Sequence, residues 1–220
     1  RQAWRSYQRL AGCRKTGKKR DKADLKEDSI ILKPLDRGAF LYGSENNIEM
    51  GYERKDHFYK KAKREGKASR AAYKLFELQK RFALMRKGGT VIELGSAPGG
   101  WMQELSAMVG PKGKVVGIDI LPLKIQVPKN CTFFLGDIAE KKLLMEILAK
   151  SGDKADAVVS DMAPNISGVA FADAYRSYEL ANLAFESCAH LLKQDGNFLA
   201  KIFPGDEFEG FVKKLKMNFK

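Results

Sequence analysis

The stretch TVIELGSAPGGW, residues 90–101, decides the fold class of this sequence. Its first five residues have the composition of a buried strand, and Gly99 begins a helix that runs to Val109. The turn between them is made of small residues, which let the backbone approach a ligand and present N–H groups to it. Its glycine spacing differs from the GxGxxG pattern of dinucleotide enzymes. The turn therefore indicates either a small-molecule site or plain packing of a helix on a strand.

Strands and helices are predicted to alternate downstream of this turn. The strands are Thr90–Leu94, Lys114–Asp119, Cys131–Leu135, Ala155–Ser160 and Gly196–Ile202, and the helices are Gly99–Val109, Glu140–Lys150, Asp173–Leu192 and Glu207–Met217. Upstream, an amphipathic helix begins after Ser69 and is closed by Gly88-Gly89, and Ile30–Leu32 is a short apolar island, a small strand or a packing arm. Such alternation predicts an α/β fold, a mostly parallel sheet with helices on both faces.

Three of these strands end in an aspartate. Asp119, Asp137 and Asp161 lie at or just after the ends of successive strands, where parallel sheets bind their ligands. Asp119 follows Gly95 by 24 residues, close to the spacing at which an acid accepts hydrogen bonds from ribose hydroxyls. One strand-end aspartate alone is more often a turn or cap residue. Three together favour an adenosine-type ligand.

A lysine lies near the end of the last predicted strand. Lys201 follows Phe198-Leu199-Ala200 in a strand expected to be buried on both faces. A structural interpretation is a lysine whose stem extends to the surface. Its place beside the strand that ends in Asp161 favours a chemical role instead.

The charge of the chain is unevenly distributed. Its 220 residues carry 40 Lys+Arg and 27 Asp+Glu, a net charge of +13, and residues 1–70 account for 20 and 10 of these. This excess favours a polyanionic partner. Arg14–Lys22 is a candidate solvated tail, whereas the basic stretch Arg54–Lys74 contains interleaved aromatic residues and suits phosphate contacts. No apolar run is long enough to predict a membrane span. The three cysteines predict neither a disulfide framework nor a metal pair.

Three motifs together resemble the FtsJ-type ribosomal RNA 2′-O-methyltransferases. They are SRAAYKL (69–75), GSAPGGW (95–101) and SDMAPNISG (160–168), and the resemblance runs from about Tyr52 to the end of the chain. It implies a Rossmann-like methyltransferase fold that uses S-adenosylmethionine. In the family, the positions of Gly99 and Trp101 lie along the methionine part of that cofactor. Asp119 would bind the ribose, Asp137 the adenine side, and Asp161 would lie near the reacting centre.

The family's catalytic set is Lys-Asp-Lys-Glu, and three members have counterparts here. They are Lys74, Asp161 and Lys201; no glutamate matches the fourth, which the family carries about 35 residues after the second lysine. We therefore expect the chain to be a fragment that lacks the closing strands of the sheet. The expected organisation is an N-terminal extension, residues 1–51, followed by a truncated methyltransferase domain, residues 52–220.

The resemblance also implies a mechanism and partners. Lys201 is expected to act as general base, Lys74 as its electrostatic partner and Asp161 as the group that orients it. Burial and a second cation both favour the neutral amine that a base requires, whereas the carboxylate of Asp161 opposes it. The implied substrate is a uridine of large-subunit ribosomal RNA, read by a monomer without metal or membrane, in the cytoplasm or an organelle. Two alternatives stay open: a catalytically silent RNA-binding protein, and a cap-specific 2′-O-methyltransferase. The glycine spacing disfavours a nicotinamide dehydrogenase.

Overall fold

The computed structural model describes residues 28–32, 39–42 and 70–219, with side chains from Leu75 onward. Seven strands and five helices are formed by these residues. The strands are β1 (Asp28–Leu32), β2 (Ala39–Tyr42), β3 (Thr90–Leu94), β4 (Lys114–Asp119), β5 (Cys131–Leu135), β6 (Ala155–Ser160) and β7 (Leu192–Ile202). The helices are α1 (Arg70–Phe82), α2 (Gly100–Val109), α3 (Lys141–Ser151), α4 (Ala170–Leu191) and α5 (Phe208–Asn218).

The described strands form one sheet in the order β2-β1-β7-β6-β3-β4-β5. From β7 to β5 every neighbouring pair is parallel, which confirms the predicted Rossmann-like α/β fold. At the other edge β1 is antiparallel to β7, with Ser29 opposite Lys201, and β2 is antiparallel to β1. The apolar island at Ile30–Leu32 is thus part of a strand. Two strands from the N-terminal extension extend the sheet beyond β7.

Three predicted boundaries differ from the structure by three residues or more, and one of them is the start of α4, at Ala170 rather than Asp173. α1 ends at Phe82 rather than at Gly88-Gly89, because Ala83 adopts a left-handed conformation (φ 47°) and the Gln79 side chain bonds to both backbone groups of Met85, at 2.8 and 2.7 Å. β7 begins at Leu192 rather than Gly196, since an irregularity between Ala155 and Ala157 lets β6 pair with residues upstream of the glycine.

Apolar residues cover both faces of the sheet. Alternate strand residues such as Val91, Val115 and Leu199 pack with α1 and α2 on one face. Their neighbours Ile92, Val116 and Phe198 pack with α3, α4 and α5 on the other. Burial on both faces leaves the strand ends as the place where polar side chains converge. None of the described helices has both the length and the apolar character to span a membrane.

Candidate active site at the carboxyl edge of the sheet

The glycine-rich turn lies where the strand order reverses. β3 has β4 on one side and β6 on the other, so the chain leaves β3 in one direction and later returns in the opposite one. The crevice above such a strand is where open parallel sheets bind ligands. The turn 95–99 connects β3 to the start of α2 at this point.

Backbone geometry requires glycine at two positions of this turn. Gly95 and Gly99 have φ values of 85° and 114°, a region that side chains with a Cβ rarely adopt. A Cβ on Gly99 would lie 2.4 Å from the side chain of Ile125, and one on Gly95 would lie 2.8 Å from the backbone nitrogen of Met162. The N–H groups of Gly95 and Ser96 donate to the Ile118 carbonyl, at 2.9 and 3.1 Å. Contacts from this turn to a ligand are therefore left to its later part, around Gly99 and the start of α2.

Asp119 ties the end of β4 to the same turn. Its Oδ2 accepts the N–H of Ala97 at 2.9 Å, and its Oδ1 accepts the N–H of Leu121 at 2.8 Å. Burial raises the pKa of this carboxyl, while the backbone N–H groups of Leu121, Ala97 and Ile120 oppose the rise. Each carboxylate oxygen has a second lone pair, so a ribose hydroxyl can still be bound here.

Asp137 lies beside Asp119 along the edge, just beyond β5. The two segments are joined where Gly136 donates its N–H to the Asp119 carbonyl at 2.9 Å. The Asp137 Oδ1 accepts the N–H of Ala139 at 2.7 Å, and burial raises the pKa of the carboxyl to about 6. Leu94, Gly95, Ile118, Asp119, Ile120, Gly136, Ile138 and Met162 line a small cleft next to it. The cleft has a volume of about 10 Å³, and Asp119 is the one carboxylate among the described residues of its lining, so it can offer an apolar surface to a ligand but cannot enclose one.

Lys201 and Asp161 form a close ion pair. The Lys201 Nζ lies 2.5 Å from the Asp161 Oδ1, with 13% of the lysine side chain and 24% of the aspartate side chain exposed. Asp161 also donates its backbone N–H to the Leu94 carbonyl at 3.1 Å, which places it next to the glycine-rich turn. The lysine therefore does not extend to the surface: it points into the crevice.

The described residues contain two buried polar side-chain atoms without a hydrogen-bond partner, and both belong to this region. They are Oε2 of Glu93, in β3, and Nδ2 of Asn165, in the loop after Asp161. Burial raises the pKa of Glu93 to about 8 against a hydrogen bond with Ser96, and the carboxylates of Asp161 and Asp119 raise it further. Unpaired buried groups are costly, so their presence beside the crevice suits a site that completes its hydrogen bonds with a ligand.

The sequence analysis did not identify Glu93 as a site residue. The available signal was an acid inside the apolar run TVIEL, in a strand expected to be buried on both faces. The same reasoning had identified Lys201. Glu93 was missed because the strand-end rule selects residues that end strands rather than residues within them.

Trp101 and Lys74 are the two other side chains that the sequence predicts in the site. Trp101 is in the first turn of α2 with 6% of its surface exposed, packed in the apolar cluster under α1. Its contact with the cofactor stays a prediction. Lys74 is in α1, and its side chain lies outside the described residues, as does most of the basic stretch before it.

A larger cavity of about 660 Å³ lies elsewhere, between α4, α5 and the start of β7. Gln194, Asp195 and Gly196 line it, so it is at the amino end of β7. It holds neither the strand-end aspartates nor Lys201. The crevice at the carboxyl edge is therefore the better candidate, despite its smaller volume.

Comparison with known proteins agrees with this geometry. Residues 68–220 match the family model described as FtsJ-like methyltransferase. A 170-residue stretch is 40% identical to ribosomal RNA large subunit methyltransferase E of Methanothrix thermoacetophila, covering 77% of this chain and 65% of that protein. A crystal structure from Plasmodium falciparum, described as a ribosomal RNA methyltransferase, superposes with a TM-score of 0.61 at 26% identity, over 68% of this chain and 85% of that one. The chain therefore belongs to the FtsJ-like methyltransferase family.

Proposed function

We propose that this chain transfers a methyl group from S-adenosylmethionine to a ribose 2′-hydroxyl of RNA, a uridine of large-subunit ribosomal RNA. The observation that carries the proposal is the Lys201–Asp161 ion pair beside the glycine-rich turn. A base next to a cofactor crevice is what alkylation of a hydroxyl requires. The relatives, named as ribosomal RNA methyltransferases, support the choice of substrate.

The crevice fits the cofactor on several grounds. Gly99 and the start of α2 would hold the methionine part, as the family resemblance implies, and a side chain at Gly99 would collide with Ile125 and so disturb this turn. Asp119 would bind the ribose through its remaining lone pairs, and Asp137 the adenine beside the apolar cleft. Oε2 of Glu93, in the strand that leads into the glycine-rich turn, is a buried polar atom without a hydrogen-bond partner. S-adenosylmethionine, when bound, supplies an electrophilic methyl group on a sulfonium centre.

The residues of the chain supply the base. Lys201 would accept the proton of the ribose hydroxyl at its Nζ when that oxygen is methylated, and the C–S bond of the sulfonium would break to leave a neutral thioether. Asp161 accepts a hydrogen bond from the lysine and so fixes the direction of its nitrogen. Burial of the pair excludes bulk water from the reacting oxygen. Lys74 is proposed to stabilise the site electrostatically, as the family motif implies.

The remaining assignments follow from the substrate. A net charge of +13, concentrated before residue 71, suits an RNA partner. The curated relative matched by the chain is longer, and the chain spans about 65% of its length. Activity is therefore to be measured on the whole protein. Its place is a compartment that contains ribosomes, the cytoplasm or an organelle.

The first test replaces the base. Lys201→Ala is expected to lower methyl transfer from labelled S-adenosylmethionine to ribosomal RNA at least about 100-fold, the usual contribution of a positioned base. Cofactor affinity, measured by calorimetry, should stay within about twofold because Lys201 is not assigned to cofactor binding.

Lys193→Ala is the matched control. Lys193 is in the same strand and also pairs with an aspartate, Asp156, at 3.1 Å, but at the opposite end of β7. It should retain methyl transfer. Loss of cofactor binding in Lys201→Ala would show that the lysine is structural, and RNA binding by a wild-type protein that never transfers methyl would favour the catalytically silent alternative.

A second test addresses Asp119. Asp119→Ala should weaken cofactor binding, because the ribose loses its acceptor. It should also lower the unfolding temperature, because the N–H groups of Ala97 and Leu121 lose their partner. An unchanged cofactor dissociation constant alongside a lower unfolding temperature would show that Asp119 supports the turn but does not bind the cofactor.

A further inference from the structure

Exposed apolar side chains cluster between Asp161 and the second turn of α4. We call this cluster the aromatic patch: Ile166, Val169, Phe171 and Tyr175. Phe171 is 78% exposed, and the other three are between 47% and 52% exposed. Isolated exposed apolar residues are ordinary, but four within ten residues of chain form a surface that marks an interaction site.

Hydrogen bonds hold the aromatic patch next to the Lys201–Asp161 pair. Asp173, which is fully buried, accepts the N–H groups of Ser167 and Gly168 at 2.9 and 3.0 Å, so the loop that follows Asp161 is fixed to α4. The Ser177 Oγ accepts the N–H of Phe203 at 2.9 Å. The segment just after Lys201 is therefore joined to the same helix. Both members of the pair are connected to the helix that carries the patch.

The two rings share one face of α4. Phe171 and Tyr175 are four residues apart, the spacing of neighbours on a helix surface. The Tyr175 ring lies 6.1 Å from that of Tyr178, which packs edge-on against the core residue Phe211 at 5.7 Å. Because the Tyr175 ring is already packed against Tyr178, it loses little conformational freedom when a ligand stacks on it. Tyr175 is thus positioned by the core while nearly half of its surface stays exposed.

We propose that the aromatic patch is a stacking platform for a nucleobase of the substrate RNA, next to the ribose that is methylated. The inference rests on the proposed function and adds a substrate subsite to it. Every base has a π-face, and single-stranded RNA is commonly bound by stacking on aromatic side chains. Arg176 forms an ion pair with the buried Asp173, whose Oδ1 lies 3.5 Å from its Nη1, and keeps 32% of its side chain exposed, so the part that is not against Asp173 can still contact a phosphate of the bound RNA. Aromatic rings beside a cation fit a nucleic acid better than an apolar protein face.

Two single variants of the full-length protein test the platform. Phe171→Ala and Tyr175→Ala are expected to raise the KM for a large-subunit ribosomal RNA transcript at least about fivefold each, the lower end of measured base-stacking contributions. The cofactor dissociation constant should change less than about twofold. Phe171→Trp, which keeps an aromatic surface, should restore the wild-type KM.

Met217→Ala is the matched control. Met217 is 74% exposed on α5 and lines the cavity at the other end of β7, so its loss should leave the KM for RNA unchanged. An unchanged KM in both ring variants overturns the proposal. So does a lower unfolding temperature or an altered oligomeric state at unchanged KM, because the patch is then covered by protein, either a segment of this chain or a second copy.

A binding measurement keeps the platform separate from catalysis. If the wild-type protein transfers no methyl group to RNA, the proposed function fails. The stacking platform is then tested by fluorescence anisotropy with a labelled single-stranded oligouridine. Weaker oligouridine binding by the ring variants, with Met217→Ala unchanged, supports it. Equal binding by all variants overturns it.

Discussion

Asp119 shows that one carboxylate can have both roles that its position in the sequence left open. A strand-end aspartate was either a turn residue or a ligand for ribose. The structure shows the turn role directly, because both oxygens accept backbone N–H groups. Those bonds also fix the glycine-rich turn to the end of β4, and each oxygen keeps one lone pair for the proposed ribose contact. The two roles are therefore compatible, and a substitution at Asp119 has to be evaluated for both.

Glu93 has a consequence for stability at the residue scale. Its pKa is raised from 4.5 to about 8, so the folded protein binds a proton at pH 7 that the unfolded chain has released. Between these two values the folded state holds more protons, and the free energy of unfolding must fall as the pH rises. The loss is complete once the pH exceeds the folded-state pKa.

Glu93→Gln should remove this pH dependence, because the amide resembles the neutral acid and cannot ionise. In urea unfolding of the cofactor-free protein, the difference between the variant and the wild type should be smallest at pH 4, below the unfolded-state pKa, and should grow by about 1 kcal/mol or more in favour of the variant by pH 8. Glu209→Gln, on an exposed position of α5, should follow the wild type at every pH. Parallel curves for Glu93→Gln and the wild type would show that the carboxyl ionises normally.

At the element scale, the buried parallel strands were predicted best. The bounds of β3, β4, β5 and β6 agree with the sequence prediction, because each is a short apolar run between turn residues. The ends of α1 and β7 were wrong for tertiary reasons. A Gln79 side chain that bonds to Met85 and an irregular pairing of β6 with β7 are specific interactions, which a periodic sequence pattern does not contain.

The candidate site, too, was predicted only in part from the sequence. The strand-end position of Asp119, Asp137 and Asp161 followed from the alternation of strands and helices, and the approach of Lys201 to Asp161 followed from the pairing of neighbouring strands. The aromatic patch did not, since exposure of Phe171 depends on how α4 packs. The pairing of β1 with β7 could not be predicted from the sequence either, because a short apolar run predicts a strand but not its partner.

Asp173 supplies the prediction at this scale. It is buried in the first turn of α4 and accepts the backbone N–H groups of Ser167 and Gly168 and the hydroxyl of Ser167. Asp173→Ala should lower the free energy of unfolding by about 1–3 kcal/mol, because the donors of Ser167 and Gly168 lose their acceptor. It should also lower kcat/KM, because the freed loop begins at Asp161.

Chemical denaturation and steady-state methyl transfer measure the two effects of Asp173→Ala together. Asp206→Ala, on an exposed position before α5, is the control and should change neither. A variant that is less stable but retains the wild-type kcat/KM would show that the loop keeps its position without its hydrogen bonds to Asp173.

The whole molecule separates its charge from its cofactor site. Residues 1–70 carry a net charge of +10, which leaves +3 for residues 71–220, where the strand-end carboxylates lie among the lysines. Binding to phosphates weakens as the salt concentration rises, because the release of condensed counterions then gains less free energy, whereas interactions inside a buried crevice are screened much less. The two ligands should therefore respond differently to ionic strength.

The logarithm of the RNA association constant should fall linearly, and with a steep slope, as the logarithm of the salt concentration rises. The cofactor dissociation constant should change little. A triple variant within the basic stretch Arg54–Lys74, with Lys60, Lys61 and Lys63 each changed to Gln, should reduce that slope by roughly one for each lysine that binds a phosphate. The double variant Lys213→Gln and Lys216→Gln, on the exposed surface of α5, removes positive charge without touching that stretch and should reduce the slope less. If the slope falls by the same amount per charge removed in the triple and the double variant, RNA responds to net charge alone, and the basic stretch before Lys74 has no special part in binding the phosphates.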